Sequence, residues 1–212
     1  MNKKNNVILN AFKNSLIASC QPIPKGPLDT PSFVLASAKA SIIGGAKGLR
    51  IEGFENLRII KKNIKIPIIG IKKRNLKNYP IIITPYLTDI EKLADLGADI
   101  IAFDATKRKR PFSVTQIISK IHSLKKIAMA DCSNLSDANF AIDNGADIVS
   151  TTLSGYTGQR EVPKNPDFKL LNSLILKFKV PIIAEGRFNT PSFYKKAIKM
   201  GAHAVVVGTA LN

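Results

Sequence analysis

The 212-residue chain carries 32 Lys and Arg against 15 Asp and Glu, a net charge of +17, and 45% of its residues are hydrophobic. This hydrophobic fraction excludes an intrinsically disordered chain, and we expect a single domain with a large core over residues 1–212. The basic residues are spread along the whole length, and aromatic residues make up only 7% with no Trp, which argues against nucleic-acid binding and favours an anionic small substrate.

The amino-terminal segment and the cysteines predict a cytoplasmic protein. Asn10, Lys13 and Asn14 interrupt the apolar start, and no apolar run approaches the ~20 residues of a membrane-spanning helix. Cys20 and Cys132 provide neither a disulfide framework nor the spacing of a zinc site. We therefore expect reduced thiols, no membrane association and no bound metal.

Eight predicted strands follow one another along the chain, separated by stretches with helical periodicity. Gly45, Gly97, Gly145 and Gly201 recur about every fifty residues, the size of two strand–helix units. Each of these glycines suits a helix C-terminus, and an apolar strand begins directly after it. Nearly continuous apolar strands are typical of parallel sheets that are buried on both faces. The predicted strands lie near residues 15–20, 47–52, 66–72, 98–104, 126–131, 147–152, 180–185 and 203–208.

Eight alternating strand–helix units predict a TIM (β/α)8 barrel. A doubly wound open sheet is the alternative, but it does not explain a repeat that runs through the whole chain. Only GTALN follows the last predicted strand, so we expect the eighth helix to be missing. The outer face of the eighth strand would then be uncovered, or covered by the amino-terminal segment or by a partner chain.

The carboxyl ends of the predicted strands carry many polar residues. Active sites of TIM barrels lie at these ends, and a buried charge without a partner is costly, so the set indicates a functional site. The polar residues at these ends are Gln21, Arg50, Glu52, Lys72, Lys73, Asp104, Asp131, Thr151, Thr152, Glu185, Arg187 and Thr209.

Side-chain alternation distinguishes the two lysines of PIIGIKKRN. Residues two apart on a strand face the same way. Aligning KIPIIG, KKIAMAD and KVPIIAEG places Asp131 and Glu185 in register with Ile71, and Lys73 lies two residues further on. Lys73 is therefore expected to enter the barrel mouth with the two acids, whereas Lys72 points towards solvent or a helix.

A lysine opposite a glutamate suits proton abstraction next to a carbonyl, because desolvation lowers the pKa of a lysine towards neutrality. A structural Lys73–Glu185 ion pair and a Schiff-base lysine remain open as alternatives. The strand ends AEGRFNTP and VVVGTALN place glycine and small polar residues where barrels commonly hold a phosphate, which predicts a phosphorylated substrate. The predicted phosphate-binding residues are Gly186, Arg187, Gly208 and Thr209.

Eight short motifs follow one another in order: SCQ at 19–21, GLRIEG at 48–53, PIIGIKKR at 67–74, ITP at 83–85, DAT at 104–106, AMADCS at 128–133, STTLSGYT at 150–157 and AEGRFNTP at 184–191. Together they resemble the N-acetylmannosamine-6-phosphate 2-epimerase family over essentially the whole chain. The combination of STTLSGYT, AEGR and SCQ is specific, whereas ITP alone is a weak signal.

The resemblance implies reversible conversion of N-acetylmannosamine 6-phosphate to N-acetylglucosamine 6-phosphate, in sialic-acid and amino-sugar catabolism. No cofactor is implied, because the charge left at C2 delocalises into an enolate. By the family pattern Lys73 is the base, and Glu185 assists proton transfer or ring opening. Gln21, Arg50 and Asp131 match substrate-binding positions, and Arg50 is expected to stabilise negative charge on oxygen.

The sequence departs from the family pattern at three places. Lys72 stands where the family commonly has an aliphatic residue, and Asn75 stands in place of a frequent Asp. After the eighth strand, the family continues with an ITRP-like segment, whose arginine reaches the substrate, and with a helix that contributes to dimers. In this sequence only GTALN follows the eighth predicted strand. A homodimer is implied by the resemblance and is an expectation to be tested.

Two other functions compete with this interpretation. The first is that of a different phosphosugar barrel enzyme, of the ribulose-phosphate epimerase or aldolase type. A ribulose-phosphate epimerase needs metal-binding histidines. The only histidines, His122 and His203, lie on a predicted helix and at a strand start. A truncated, non-catalytic barrel serving as a binding module is the other, and the presence of both Lys73 and Glu185 argues against it.

Overall fold

A computed structural model describes residues 3–158 and 162–211, and in it eight parallel strands close into a barrel in chain order. β1 pairs with both β2 and β8, so the sheet has no edge and the open-sheet alternative is excluded. Each strand lies within its predicted range, which confirms the TIM-barrel prediction. The strands are β1 Ser15–Cys20, β2 Gly48–Glu52, β3 Ile68–Ile71, β4 Ile100–Asp104, β5 Ile127–Asp131, β6 Ile148–Ser150, β7 Ile182–Ala184 and β8 Ala204–Val207.

The described residues form eight α-helices, of which the first precedes β1 and the others follow β1 to β7 in turn. After β8 the described residues, Gly208 to Leu211, form turns. No helix within the described ranges has both the length and the apolar character needed to cross a membrane. The helices are α1 Lys3–Phe12, α2 Pro31–Ile43, α3 Phe54–Asn63, α4 Leu87–Asp95, α5 Val114–Ser123, α6 Leu135–Asp143, α7 Phe168–Lys177 and α8 Pro191–Met200.

Side-chain caps define where several of these helices begin. Ser113 and Gln116 form a capping box, in which Gln116 N donates to Ser113 Oγ at 3.2 Å and Ser113 N donates to Gln116 Oε1 at 2.9 Å. Thr190 accepts from Phe193 N at 3.1 Å, and Pro191 occupies the first helical position, where its missing N–H costs nothing. Local sequence thus fixes the helix starts at the mouth of the barrel.

The barrel interior is closed at its amino-terminal end by α1. Ile8, Leu9 and Phe12 of this helix join the apolar side chains inside the barrel. A Cβ on Gly48 would collide with the Phe12 ring, so only glycine admits the ring at this point. His203 Nε2 also lies 2.8 Å from Leu9 O. The amino-terminal segment therefore closes the bottom of the barrel.

A groove of about 730 Å³ runs along the outer face of the barrel beside β8 and β1, where Val207 and Leu16 line it. It is bordered by Ala11 at the end of α1 and by Tyr194 of α8. Among the described residues the outer face of β8 is therefore left open, with the end of α1 at its border, and a covering partner chain stays a prediction.

The recurring GAD segments have a structural role at the start of the even strands. Asp99 Oδ2 accepts from Ile68 N of β3 at 3.1 Å, and Asp147 Oδ2 accepts from Ala128 N of β5 at 2.8 Å. Each aspartate therefore ties the chain just before one strand to the neighbouring strand. Two of the four repeated segments, those before β4 and β6, thus share one fastening at the bottom of the sheet.

Candidate active site

Four strand ends bring the main predicted site residues to one barrel mouth. Arg50 lies on β2, Lys73 follows β3, Asp131 ends β5 and Glu185 follows β7. The Arg50 side chain is 1% exposed, Asp131 is 0% exposed and Glu185 is 12% exposed. A guanidinium and two carboxylates are thus enclosed at the position where barrel enzymes carry out chemistry.

Arg50 is held between the two acids. Its Nη2 and Nη1 donate to Asp131 Oδ2 and Oδ1 at 2.6 and 3.2 Å, which is a bidentate pair. Nη1 also lies 3.1 Å from Glu185 Oε2, but Oε2 accepts no well-aligned hydrogen bond from the described residues. Burial on its own lowers the pKa of Arg50, yet the two carboxylates raise it above the usual arginine value. Arg50 is therefore a fixed positive charge.

Two hydroxyl groups complete the surroundings of Asp131. Ser150 Oγ and Thr152 Oγ1 each donate to Asp131 Oδ1 at 2.8 Å, and the two hydroxyl oxygens lie 2.6 Å apart. Ser150 and Thr152 are two residues apart and so share one face of the chain. With Arg50, they hold the carboxylate in one orientation, and Asp131 in turn holds Arg50.

Glu185 is placed for proton transfer near neutral pH. Burial raises the pKa of its carboxyl to about 7, with a further rise from Asp131, against the lowering effects of Arg50, Thr152 and Lys73. Its backbone is fixed by Thr151, whose Oγ1 donates to Glu185 O at 2.7 Å and accepts from Glu185 N at 3.0 Å. A carboxyl with such a pKa exchanges protons readily at physiological pH.

Lys73 reaches the same mouth with its pKa shifted in the direction that a base needs. Desolvation by the surrounding wall lowers the pKa of its ammonium, and Arg50 lowers it further, while Glu52, Glu185 and Asp131 oppose the shift. The lysine itself remains accessible to solvent through the open mouth.

Lys72 points away from these groups. Its Nζ donates to Glu52 Oε1 at 3.0 Å and lies 5.5 Å from the centre of the Phe54 ring on α3. The same Glu52 oxygen accepts from Lys73 N at 3.1 Å. The structure therefore places Lys72 against a helix, and it places the side chains of Lys72 and Lys73 in different surroundings.

Gln21 and Gly208 meet at Ser19, near the ends of β1 and β8. Gln21 Nε2 donates to Ser19 Oγ at 2.7 Å, while its buried Oε1 has no hydrogen-bond partner among the described residues. A Cβ on Gly208 would lie 3.4 Å from Ser19 Cβ, so the two strands approach closely here. Thr209, next in the chain, is exposed. The Gln21 oxygen is thus available as an acceptor for a donor group of a ligand.

Gly186 and Arg187 form a tight turn between β7 and α8. Both have left-handed backbones, with φ of 98° and 66°. The Arg187 guanidinium turns away from the turn: Nη1 donates to Ser154 O at 2.8 Å and Nε donates to Asn165 O at 2.9 Å. The arginine side chain therefore holds the loop between β6 and α7 in place. The sequence did not indicate this contact.

The two histidines lie away from the mouth. His122, on α5, has Nε2 at 2.8 Å from Asp147 Oδ2, and His203 precedes β8 beside α1. Within residues 3–158 and 162–211, no group of three or more His, Cys, Asp or Glu residues is arranged to hold a metal ion. Cys20 and Cys132 are buried free thiols. The absence of a metal requirement stays a prediction.

Sequence reasoning left three contributors to the site without a role. Glu52 and Thr152 were recognised as strand-end residues but not connected to Lys73 or Asp131. Ser150 was not singled out, although its two-residue spacing from Thr152 could have indicated it. These contacts depend on side-chain directions at neighbouring strands, which a linear pattern does not contain.

Comparison with known proteins relates the chain to one family. Residues 34–212 match the family described as "Putative N-acetylmannosamine-6-phosphate epimerase". Proteins named "Putative N-acetylmannosamine-6-phosphate 2-epimerase" from Pasteurella multocida and Glaesserella parasuis are 50% and 49% identical to it over 204 residues, covering 96% of this chain and 89% and 87% of theirs. The solved N-acetylmannosamine-6-phosphate 2-epimerase from Clostridium perfringens superposes with a TM-score of 0.93 at 41% identity, covering 96% of this chain and 90% of that one.

Proposed function

The chain belongs to the N-acetylmannosamine-6-phosphate 2-epimerase family, and we propose that it inverts C2 of its substrate with Lys73 and Glu185 as the proton-transferring groups. It is an isomerase of sialic-acid and amino-sugar catabolism that interconverts N-acetylmannosamine 6-phosphate and N-acetylglucosamine 6-phosphate. The observation that carries the proposed roles is the enclosed Arg50–Asp131–Glu185 cluster with Lys73 beside it.

The reaction calls for the groups that meet in this cluster. C2 lies next to the C1 carbonyl of the opened sugar, so loss of its proton leaves charge that spreads onto the carbonyl oxygen. Lys73 in its neutral form removes the proton, and its lowered pKa makes that form accessible. Protonated Glu185, with a pKa of about 7, assists ring opening or returns a proton. The fixed charge of Arg50 stabilises the oxygen anion.

The remaining predicted residues would bind the ends of the sugar. Gln21 offers its unpartnered Oε1 to a hydroxyl or amide N–H of the substrate. Gly186, Arg187, Gly208 and Thr209 remain the proposed phosphate site. Because Nε and Nη1 of Arg187 already donate to backbone carbonyls, its contribution would come from the backbone N–H.

Proton NMR of N-acetylmannosamine 6-phosphate with the purified chain in deuterated water tests the proposal. We expect the C2 proton signal to disappear as deuterium enters and N-acetylglucosamine 6-phosphate to accumulate to equilibrium. A chelator should leave the rate unchanged, whereas inhibition would point to a metal-dependent epimerase. A Lys73 adduct trapped by borohydride would point to an aldolase-type Schiff base. Light scattering of the eluted protein tests the expected homodimer.

A further inference from the structure

The segment between β3 and α4 places residues 81–84 in the barrel wall beside β4. β3 and β4 pair only at Ile69–Ile100 and Gly70–Ile101. Above these pairs the chain folds back on itself, with Lys73 and Ile83 as antiparallel bridge partners. Ile83 O then accepts from Asp104 N of β4 at 3.0 Å. Residues 81–84 therefore occupy the place that β3 would otherwise fill beside β4.

Thr84, at the end of this inserted segment, has an unfavourable backbone conformation. Its φ is 47°, in the left-handed region that a β-branched residue rarely adopts. It is also 1% exposed, so water does not satisfy its polar groups. Such a conformation persists only where surrounding contacts impose it, and it occurs preferentially at functional sites.

The contacts of Thr84 converge on the residue before Lys73. Thr84 N donates to Lys72 O at 2.7 Å, and Thr84 Oγ1 accepts from Lys72 N at 3.3 Å. The same hydroxyl donates to Ala102 O of β4 at 2.7 Å. One threonine thus connects both backbone groups of Lys72 to a strand of the barrel.

The peptide group that joins Lys72 to Lys73 is consequently held at both ends. Its oxygen is bound by Thr84 N, and its nitrogen, Lys73 N, donates to Glu52 Oε1 at 3.1 Å. The plane of this peptide sets the direction in which Lys73 leaves the backbone. We propose that Thr84 is a positioning residue for Lys73, fixing the peptide from which the lysine side chain enters the mouth. The inference rests on the proposed role of Lys73 as the base.

The variants Thr84→Ala and Thr84→Ser provide a matched pair, because both lack the γ-methyl group and only serine keeps the hydroxyl. Thr84→Ala keeps the bond from the backbone N–H of residue 84 to Lys72 O but loses the hydroxyl that ties Lys72 N to Ala102 O of β4. Without that tie we expect kcat to fall at least about tenfold with KM within about threefold, and we expect Thr84→Ser to stay within about threefold of the parent in kcat. Ser15→Ala is the control for lost stability. It removes a comparable buried hydrogen bond, Ser15 Oγ to Phe12 O at 2.7 Å, at the opposite end of the barrel. It should lower Tm without changing kcat.

A second measurement follows Lys73 directly, without turnover. The rate at which an amine-specific reagent labels Lys73, read by mass spectrometry of its peptide, should rise with pH around the pKa of the lysine. In Thr84→Ala the midpoint should move upwards, because a displaced lysine loses the desolvation and the Arg50 charge that lower its pKa. In Thr84→Ser it should match the parent.

The outcomes separate this inference from the proposed function. Equal kcat and equal labelling midpoints for Thr84→Ala and Thr84→Ser overturn the positioning role. Absence of C2 exchange in the parent overturns the proposed function, and the labelling midpoints then still decide whether Thr84 positions Lys73. If Thr84→Ala does not fold, Thr84→Gly replaces it, because glycine tolerates the φ of 47° while lacking the hydroxyl. We expect that variant to fold and to be as slow as predicted for alanine.

Discussion

Arg50 and Asp131 form a two-point ion pair in which neither side chain meets solvent, with nitrogen–oxygen distances of 2.6 and 3.2 Å. Each partner neutralises a charge that would otherwise be buried alone. The hydroxyl groups of Ser150 and Thr152 donate further hydrogen bonds to Oδ1 of Asp131. The pair is the fixed part of the site, beside the two groups, Lys73 and Glu185, that we propose transfer protons.

Replacing Asp131 by Asn should remove the carboxylate that pairs with both terminal nitrogens of Arg50, and it leaves Glu185 as the acid beside the buried guanidinium. Removing one partner of a buried pair costs about 3–5 kcal/mol, which for a chain of this size lowers Tm by about 6–20 °C. Calorimetry or circular dichroism measures the change. The exposed Glu55–Arg58 pair supplies the comparison, because Glu55→Gln should lower Tm by less than about 3 °C. Equal effects of the two variants would show that Arg50 does not depend on Asp131.

Lys73→Ala should abolish exchange of the C2 proton, because the variant lacks the amine that we propose as the base. Lys72→Ala is the matched control, since it removes the neighbouring amine but not the base. It should keep turnover within about tenfold of the parent, a loss of about 1.4 kcal/mol in transition-state stabilisation. Proton NMR in deuterated water follows both. Persistent exchange in Lys73→Ala, or an equally deep loss in Lys72→Ala, contradicts the assignment.

The regular part of the structure could be predicted from sequence because it repeats. Four recurring glycines at helix ends located every second strand, and apolar runs between them located the others. Two-residue alternation put Lys73, Asp131 and Glu185 at one mouth. Thr84 could not be found this way, because its role depends on a loop that returns to pair between β3 and β4. The direction of the Arg187 guanidinium, towards Ser154 O, was likewise set by a distant loop.

Lys72 has an electrostatic role that its sequence position alone did not indicate: it pairs with Glu52 beside Lys73. Glu52 raises the pKa of Lys73, against desolvation and Arg50, which lower it. Lys72→Met removes a positive charge and leaves Glu52 unpaired, and both changes favour protonated Lys73. In a plot of kcat/KM against pH, activity rises as Lys73 loses its proton, and we expect this rise to move to higher pH in the variant. A profile recorded from pH 5 to 10 measures this, and a shift to lower pH or none would contradict the electrostatic role.

Glu185 should make folding stability depend on pH, because its carboxyl has an ordinary pKa of 4.5 and a pKa of about 7 in the folded protein. The folded state therefore binds this proton more tightly than the unfolded chain does. The resulting stabilisation is fully present below pH 4.5 and is lost as the pH rises through 7. Glu185→Gln cannot ionise, so at pH 8 it should be more stable than the parent by about 3 kcal/mol, and at pH 5 by less than about 1 kcal/mol.

Urea unfolding at the two pH values measures this difference. Glu91→Gln, at an exposed ion pair with Lys120, serves as the control and should leave the difference between pH 5 and pH 8 unchanged. The more stable Glu185→Gln protein should also lose most of its epimerase activity, because the amide neither gives nor takes the proton. A variant that is less stable than the parent at pH 8 would show that Glu185 is ionised and paired with Arg50 in the resting enzyme. The carboxylate would then stabilise the folded state as an ion-pair partner, and it would not carry the proton that the proposed acid has to donate.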